Sequence, residues 1–313
     1  MELKHKKVLV TGGAGFIGSH TVASLLAAGA QVTVIDNLST GDGSNISPAS
    51  KFYDMNIANP GIEQIYKEEK PDIVYHFAFN VLVPKSVENP AMDIDSIAGS
   101  INLLQCVRKY GAEKVFFPSS GFLYGNTDKL PTPETEPVQP ISPYVVSKHA
   151  VENYLWFYRR AFNIHFVIFR YAAVYGPGQS TGAMADYIRK LANGQQAEIW
   201  GDGAKTRDYV YIDDVVRANL LALDVPNDYP VPLFNIGTGK QTSLNEIYTI
   251  IALYLNKHPQ PIYHPDRPGE QMQYALDSAK IKQALGWAPQ TSLDAGLEET
   301  INHYLSSKRL TDY

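Results

Sequence analysis

The segment KVLVTGGAGFIGSHTVASLLAAG, running from Lys7 to Gly29, constrains the fold more than any other part of the chain. A short β-branched run ends in glycine. A stretch with helical spacing of Phe16, Ile17, His20, Val22, Leu25 and Leu26 follows it, and Gly29 closes that helix. Between strand and helix, Gly12 permits a tight turn, Gly15 lets a pyrophosphate approach the backbone, and Gly18 allows close packing of helix on sheet. The helix N-terminus then offers unpaired N–H groups and the positive end of its dipole to phosphate. A second strand, AQVTVID, ends in Asp36. A carboxylate there accepts both adenosine ribose hydroxyls and repels a 2′-phosphate, which favours NAD over NADP. A glycine turn of purely structural origin has no need of strand, triplet, helix and acid in that order.

The alternation continues. KFYDMN, DIVYHFA, KVFFPSS and HFVIFRYA read as strands, with helices expected from Pro60, over Met92 to Tyr110 and over Val145 to Phe162. Such a rhythm predicts an α/β fold, a Rossmann-type doubly wound parallel sheet covered on both faces. After Tyr175 the rhythm breaks into turn-rich, polar sequence, and LFNIG (Leu233 to Gly237) reads as one more strand returning to the sheet. The expected organisation is a dinucleotide-binding domain over 1–172, with 213–240 returning to it. A smaller C-terminal substrate-binding lobe is expected from 173–212 and 241–313.

A chain of 313 residues has room for a large core, and a formal net charge of −5 with no basic cluster argues against a dedicated nucleic-acid binder. The single cysteine, Cys106, lies in the apolar helical pattern INLLQCVRKYG and reads as a small buried hydrophobe. The eight histidines form no HExxH motif and have no CxxC partner, so no metal site is expected. No apolar run reaches the ~20 residues that cross a bilayer, and MELKHKKVLVTGG leads directly into the first strand. A cytoplasmic protein is expected.

Two later stretches, SSGFLYG and SPYVVSK, set Ser120 on one and Tyr144 with Lys148 on the other. On a helix the four-residue spacing puts Tyr144 and Lys148 on one face. A packed tyrosine and a surface lysine would be the plain reading without the glycine loop. The ordered set VTGGAGFIGSH, DNLSTG, SPYVVSK, GDGAKTRDYVYIDDV, FNIGTG and LGWAP runs essentially end to end. On these motifs the chain resembles the extended short-chain dehydrogenase/reductase family, most closely its nucleotide-sugar 4-epimerases of the UDP-glucose 4-epimerase type.

The resemblance implies bound NAD, a UDP-sugar substrate (UDP-glucose or UDP-galactose first) and inversion at C4 through a transient 4-keto sugar. It implies Ser120, Tyr144 and Lys148 as catalytic residues. The lysine ammonium and the nicotinamide cation would lower a phenol pKa that is ordinarily ~10. Tyr144 would take the C4 hydroxyl proton while Ser120 hydrogen-bonds the same oxygen. Implied dinucleotide contacts come from Gly12, Gly15, Phe16, Ile17 and Gly18, then from Asp36, Asn37, Ser39, Thr40 and Gly41. Further ones are Asn56, Ile57, Phe77, Ala78, Ser96 and Tyr171, with Tyr144 and Lys148 themselves.

For the sugar nucleotide, Arg207 and Arg267 match positions that hold the diphosphate, a task that suits guanidinium. Glu270 matches an acid that accepts from the nucleotide ribose, and Trp200 an aromatic near uracil. Ser120, Tyr144 and Ala173 would touch the sugar, and Tyr274 would limit bulk at C2. Related 4,6-dehydratases carry an acid just after the hydroxyl position, where this chain has Gly121 and Phe122. The GDP-fucose synthase type places a cysteine near this point, and none stands there here.

The chain departs from the family pattern at Ala173 and Ser96, where asparagine is usual. It departs also at Asn56, where aspartate is usual, and at Phe79, where a small residue is common. Relatives dimerise through the helices Met92 to Tyr110 and Val145 to Phe162, so a homodimer is implied. Tyr154, Leu155 and Phe157 could supply its contact, or pack into the core. Other readings are a 4-keto reductase, an epimerase of uronic acid or pentose sugars, and a protein that senses dinucleotide without catalysis. The complete Ser120, Tyr144 and Lys148 set argues against the last.

Overall fold

The computed structural model describes residues 2–257, 259–267 and 269–307; of the expected domains, Met1, His258, Pro268 and 308–313 lie outside the described residues. The first half of the chain alternates as its sequence pattern requires: β1 (Lys7–Thr11), α1 (Phe16–Ala27), β2 (Gln31–Asp36), β3 (Lys51–Asp54), α2 (Ile62–Glu69) and β4 (Ile73–His76). Then follow α3 (Val83–Glu88), α4 (Ile94–Tyr110), β5 (Lys114–Ser120), α5 (Pro143–Phe162) and β6 (Phe166–Tyr171). The expected helix from Met92 is two elements, since Pro90–Asp93 forms a 3-10 turn before α4.

The rest comprises β7 (Ala173–Tyr175), α6 (Ala183–Ala192), β8 (Glu198–Trp200), β9 (Thr206–Arg207), β10 (Tyr209–Tyr211) and α7 (Ile212–Leu221). It ends with β11 (Leu233–Ile236), β12 (Thr242–Ser243), α8 (Leu244–Tyr254), β13 (Ile262–His264), α9 (Ala279–Leu285) and α10 (Leu293–Ser306).

Seven strands form one parallel sheet in the order β11-β6-β5-β4-β1-β2-β3. All seven residues of β5 and all six of β6 are buried, as in a sheet covered on both faces. Alternate residues feed different cores. Val8 and Val10 of β1 join Val22 and Leu25 of α1 on one face, while Leu9 joins Leu103 and Val151 on the other. Leu155 also packs there, so of the two places open to it, subunit contact or core, it takes the core. Tyr154 and Phe157 are exposed. A third cluster gathers Tyr187 and Ile188 of α6, Ile247 of α8 and Leu297 of α10.

Helix α5 starts where its chemistry places it. The Ser142 hydroxyl accepts from Val145 N, and Pro143 opens the first turn, so Tyr144 sits in that turn. Farther along, Glu152 is tied to Arg170 of β6 by two hydrogen bonds of 3.0 and 2.7 Å, both partners buried. Among the described residues no helix is long and apolar enough to cross a membrane.

Candidate active site

Strands β1, β2, β4, β5 and β6 end in Thr11, Asp36, His76, Ser120 and Tyr171. Parallel strands bring these ends to one edge of the sheet. From β1 the sheet grows outward in both directions, through β2 on one side and β4 on the other. That switch point opens a crevice at the carboxyl ends.

The glycine loop fills the crevice mouth. Gly12 has φ +72°, and a Cβ there would lie 2.5 Å from Ala78 N and 2.7 Å from the Phe77 carbonyl carbon. A Cβ on Gly18 would collide with the Gly12 carbonyl oxygen. Gly15, the N-cap of α1, is different: a Cβ there meets only the Gly12 oxygen, at 3.3 Å. No side chain caps this helix end. Asp36 braces the loop from the next strand, accepting from Ala14 N at 3.0 Å and from Leu38 N at 2.9 Å. The turn after it carries Asn37, Ser39 and Thr40 on the surface. It returns to the loop at Gly41, where a Cβ would stand 3.0 Å from Ala14. Phe16 and Ile17 are half-buried at the start of α1.

Beside this group, Asn56 donates to Asp95 at 3.2 Å, Ile57 packs against Gly99 of α4, and the Ser96 hydroxyl accepts from Asn80 N at 2.9 Å. The side chain of Tyr171 does not join the crevice as expected. Its hydroxyl donates to Asn219 at 2.5 Å within the core under α1, because strand alternation turns it to that face.

Ser120, Tyr144 and Lys148 do come together, all three buried. Ser120 Oγ accepts from Phe122 N at 3.2 Å and lies close enough to Tyr144 to act on its phenol. Lys148 Nζ donates to the Pro118 carbonyl at 2.6 Å. It lies 3.8 Å from the centre of the Phe79 ring and 4.8 Å from that of Phe117. The protein's own groups do not produce the expected lowering of the phenol. Burial pushes Tyr144 up to about 12, Ser120 pulls the other way, and Asp93 adds to the rise. Burial pushes Lys148 down to about 7 against the pull of Glu152.

The hydroxyl of Ser120 leads directly into a second group. Phe122 stacks on Tyr274 with ring centres 5.4 Å apart, and the Arg207 guanidinium lies 5.5 Å from the Phe122 ring. Tyr274 donates to the Tyr171 carbonyl at 2.8 Å, in space that any side chain at Gly121 would occupy. Arg207 is held by the carbonyls of Thr206 (2.7 Å) and Gln271 (2.8 Å). Burial lowers its pKa, with Tyr209 and Glu270 opposing. Ala173 N donates to the Asp208 carbonyl at 2.8 Å.

A third group lies around β8 and β13. Arg267 sits 3.7 Å over the Trp200 ring, and Trp200 stacks with His264 at 4.5 Å. Glu270 is paired with the buried Lys205 at 2.5 Å, which also reaches Asp266 at 2.8 Å. Sequence patterning does not single out Lys205 or His76. The signal His76 offers is a titratable residue closing an otherwise apolar strand, IVYH, at the edge where ligands bind parallel sheets.

The chain as a whole is similar to proteins already known. A UDP-glucose 4-epimerase from Mycolicibacterium smegmatis is 36% identical over 309 residues, covering 95% of this chain and 98% of that one. The UDP-glucose 4-epimerase of Thermotoga maritima, solved with UDP-glucose, superposes with a TM-score of 0.92 at 40% identity, over 96% of this chain and 98% of that chain. The Thermus thermophilus UDP-glucose 4-epimerase, solved in complex with NAD, gives 0.92 at 36% identity, over 96% and 99%. Residues 8–237 match the NAD dependent epimerase/dehydratase family; the chain belongs to that family, and its cofactor is NAD.

Proposed function

We propose that the protein inverts the configuration at C4 of a UDP-sugar, with UDP-glucose and UDP-galactose as the pair it interconverts. The observation that carries this reading is the buried Ser120, Tyr144 and Lys148 set, flanked by Gly121 and Phe122 where elimination of water would need an acid. The Thermotoga maritima structure with UDP-glucose supports the choice of sugar.

The residues present fit NAD. The Gly15 side of the loop is open to a pyrophosphate, while Gly12 and Gly18 are closed by backbone. The uncapped α1 terminus faces the same place. In this reading Asp36 takes the adenosine ribose. The turn Asn37, Ser39, Thr40 and Gly41 and the Asn56, Ile57 and Ser96 wall enclose the rest.

NAD, when bound, supplies the reversible two-electron oxidation at C4 and a positive charge that favours the Tyr144 phenolate. Tyr144 takes the proton from the sugar O4 and later returns it, as general base and then acid. Ser120 hydrogen-bonds the same oxygen and keeps it in line with the phenol. Lys148 holds a positive charge one helical turn from Tyr144. Arg207 and Arg267 grip the diphosphate while the keto sugar turns its other face to the cofactor, Glu270 takes the nucleotide ribose, and Trp200 lies beside the base. Residues 173–212 and 241–313 would thus form the lobe that grips the sugar nucleotide. Exposed Val146, Tyr154, Phe157 and Phe162 on α5 would meet a second copy of the chain.

The test is incubation with a panel of UDP-sugars, no cofactor added, and product analysis by NMR. Interconversion of UDP-glucose and UDP-galactose is expected. Turnover of only uronic acid, pentose or N-acetyl sugars would move the substrate assignment, and consumption of added NADH would replace epimerisation by reduction.

A further inference from the structure

Phe79, where the family commonly has a small residue, stands against two of the proposed catalytic side chains. Its ring centre lies 3.8 Å from Lys148 Nζ, and Tyr144 meets the same ring edge-on at 6.4 Å and 87°. Phe117 approaches the ammonium from β5 at 4.8 Å, with Phe79 and Phe117 themselves edge-to-face at 6.1 Å. Nζ donates to the Pro118 carbonyl, 2.6 Å away. The ammonium is therefore boxed by two aromatic rings and a carbonyl oxygen. A cation over a ring face is attracted by the ring quadrupole, and more strongly where water is excluded. Lys148 is buried, so the condition is met.

We infer that Phe79 is a positioning residue for the proposed Lys148 and Tyr144 pair, its ring face keeping Lys148 charged and its perpendicular contact fixing the Tyr144 ring. A small residue at this position would leave Lys148 with Phe117 and Pro118 alone. The inference rests on the proposed catalytic role of Lys148, but its first measurement does not.

Charge enters around Lys148 from several elements. On α5, Glu152 favours the ammonium but is itself bound to Arg170 of β6. From β4, the His76 ring lies near enough for Lys148 to disfavour its protonation. Asp93, in the turn before α4, acts on Tyr144. None of these is removed by a change at Phe79. Burial holds Lys148 at about 7, so a modest further loss of attraction moves its titration within an accessible range.

The experiment compares Phe79→Leu, which keeps bulk but has no ring, with Phe79→Tyr and with a multiply fluorinated phenylalanine at 79, which keeps the shape and removes the quadrupole. The Lys148 ¹³Cε resonance, assigned by its loss in Lys148→Met, is titrated in each folded holoenzyme. The Lys148 midpoint is expected to fall by roughly one pH unit in Phe79→Leu and in the fluorinated protein, and to stay at the parent value in Phe79→Tyr. Turnover of the leucine variant, relative to the parent, is expected near one at pH below the lysine midpoint and to drop about tenfold above it. An unmoved midpoint in the fluorinated protein, whose packing is unchanged, overturns the role of Phe79. A moved midpoint with a turnover ratio independent of pH leaves the box in place and removes Lys148 from the chemistry, which is the failure of the functional reading instead.

Discussion

The Thr11 hydroxyl lies 2.7 Å from His76 Nδ1, one link of a buried chain in which every proton has a place. Ser100 donates its hydroxyl proton to the Ser96 carbonyl at 2.7 Å, so Ser100 Oγ must accept from His76 Nε2, 2.8 Å away. Nδ1 is then bare and accepts from Thr11, whose oxygen in turn accepts from Ala78 N at 3.3 Å. A neutral ring satisfies all four groups, and a protonated one would take from the Thr11 hydroxyl the acceptor for its own proton. The chain links the end of β1, the Phe77–Ala78 turn and α4.

The consequence for acid stability has a definite sign. Burial, with the Lys148 charge, pushes His76 down to about 3, whereas an unfolded histidine titrates near ~6.5. Between those values the unfolded chain binds the proton and the folded one does not, so stability is lost as pH falls through that window. The loss from this group is ~3 kcal/mol between pH 7 and pH 4. His76→Gln is expected to be less stable than the parent at pH 7, with the gap closing towards pH 4 in urea titrations. A gap constant with pH would mean that the ring takes its proton early.

The three loop glycines are expected to separate into two kinds. Gly12→Ala and Gly18→Ala force a methyl into backbone and should lower the melting temperature. Gly15→Ala meets only one oxygen, at 3.3 Å, so its melting temperature without cofactor should stay near the parent's while dinucleotide affinity falls. Thermal melts and the dinucleotide released on denaturation check both. Equal loss of fold in all three would refute the distinction.

Asp36 holds two backbone N–H groups of the loops that flank it. Asp36→Ala is expected to weaken NAD binding and to narrow the preference over NADP, since the carboxylate no longer repels a 2′-phosphate. Asp36→Asn keeps an acceptor and should narrow the ratio with less damage. The ratio of the two dissociation constants is the measurement, and an unchanged ratio in both variants would take Asp36 out of cofactor choice.

Tyr144→Phe removes one oxygen from a buried first turn and should leave fold and bound NAD intact. Turnover is expected to fall ~10²–10⁴-fold, the usual worth of a general acid–base group. Ser120→Ala should cost less, because the phenol remains. Lys148→Met should reduce turnover and NAD content together. Rates on the best UDP-sugar, with NAD content and melting temperature measured alongside, decide the matter; near-parental turnover of Tyr144→Phe would end the proposed mechanism.

What was legible beforehand follows from range. β-Branched runs, helical spacing and the glycine turn are local, and they placed β1 to β6 and the return of Leu233–Ile236 correctly. Helical spacing put Tyr144 and Lys148 on one face, and the family resemblance implied that Ser120 joins them. Tyr171 was misplaced because both faces of β6 are buried, so apolar pattern alone cannot say which face its hydroxyl takes. Apolar pattern left Leu155 open between subunit contact and core, and it lies in the core. The Phe79 ring over Lys148, the Lys205 pair with Glu270 and the His76 chain join residues far apart in sequence, and nothing local announces such contacts.

The strand order also has a temporal meaning. Synthesis runs from β1 onward, and β6 emerges with one edge bare until β11 arrives to cover it. In the interval the ribosome makes Trp200 and Arg207, so the nascent protein must keep an unpaired strand edge from meeting its neighbours while it does so. A chain ended after residue 172 would be frozen at that moment and is expected to self-associate. A monodisperse, monomeric fragment in sedimentation would contradict this. The sheet is thus sealed by a strand that comes late in the chain, and a cut before it leaves the seam open.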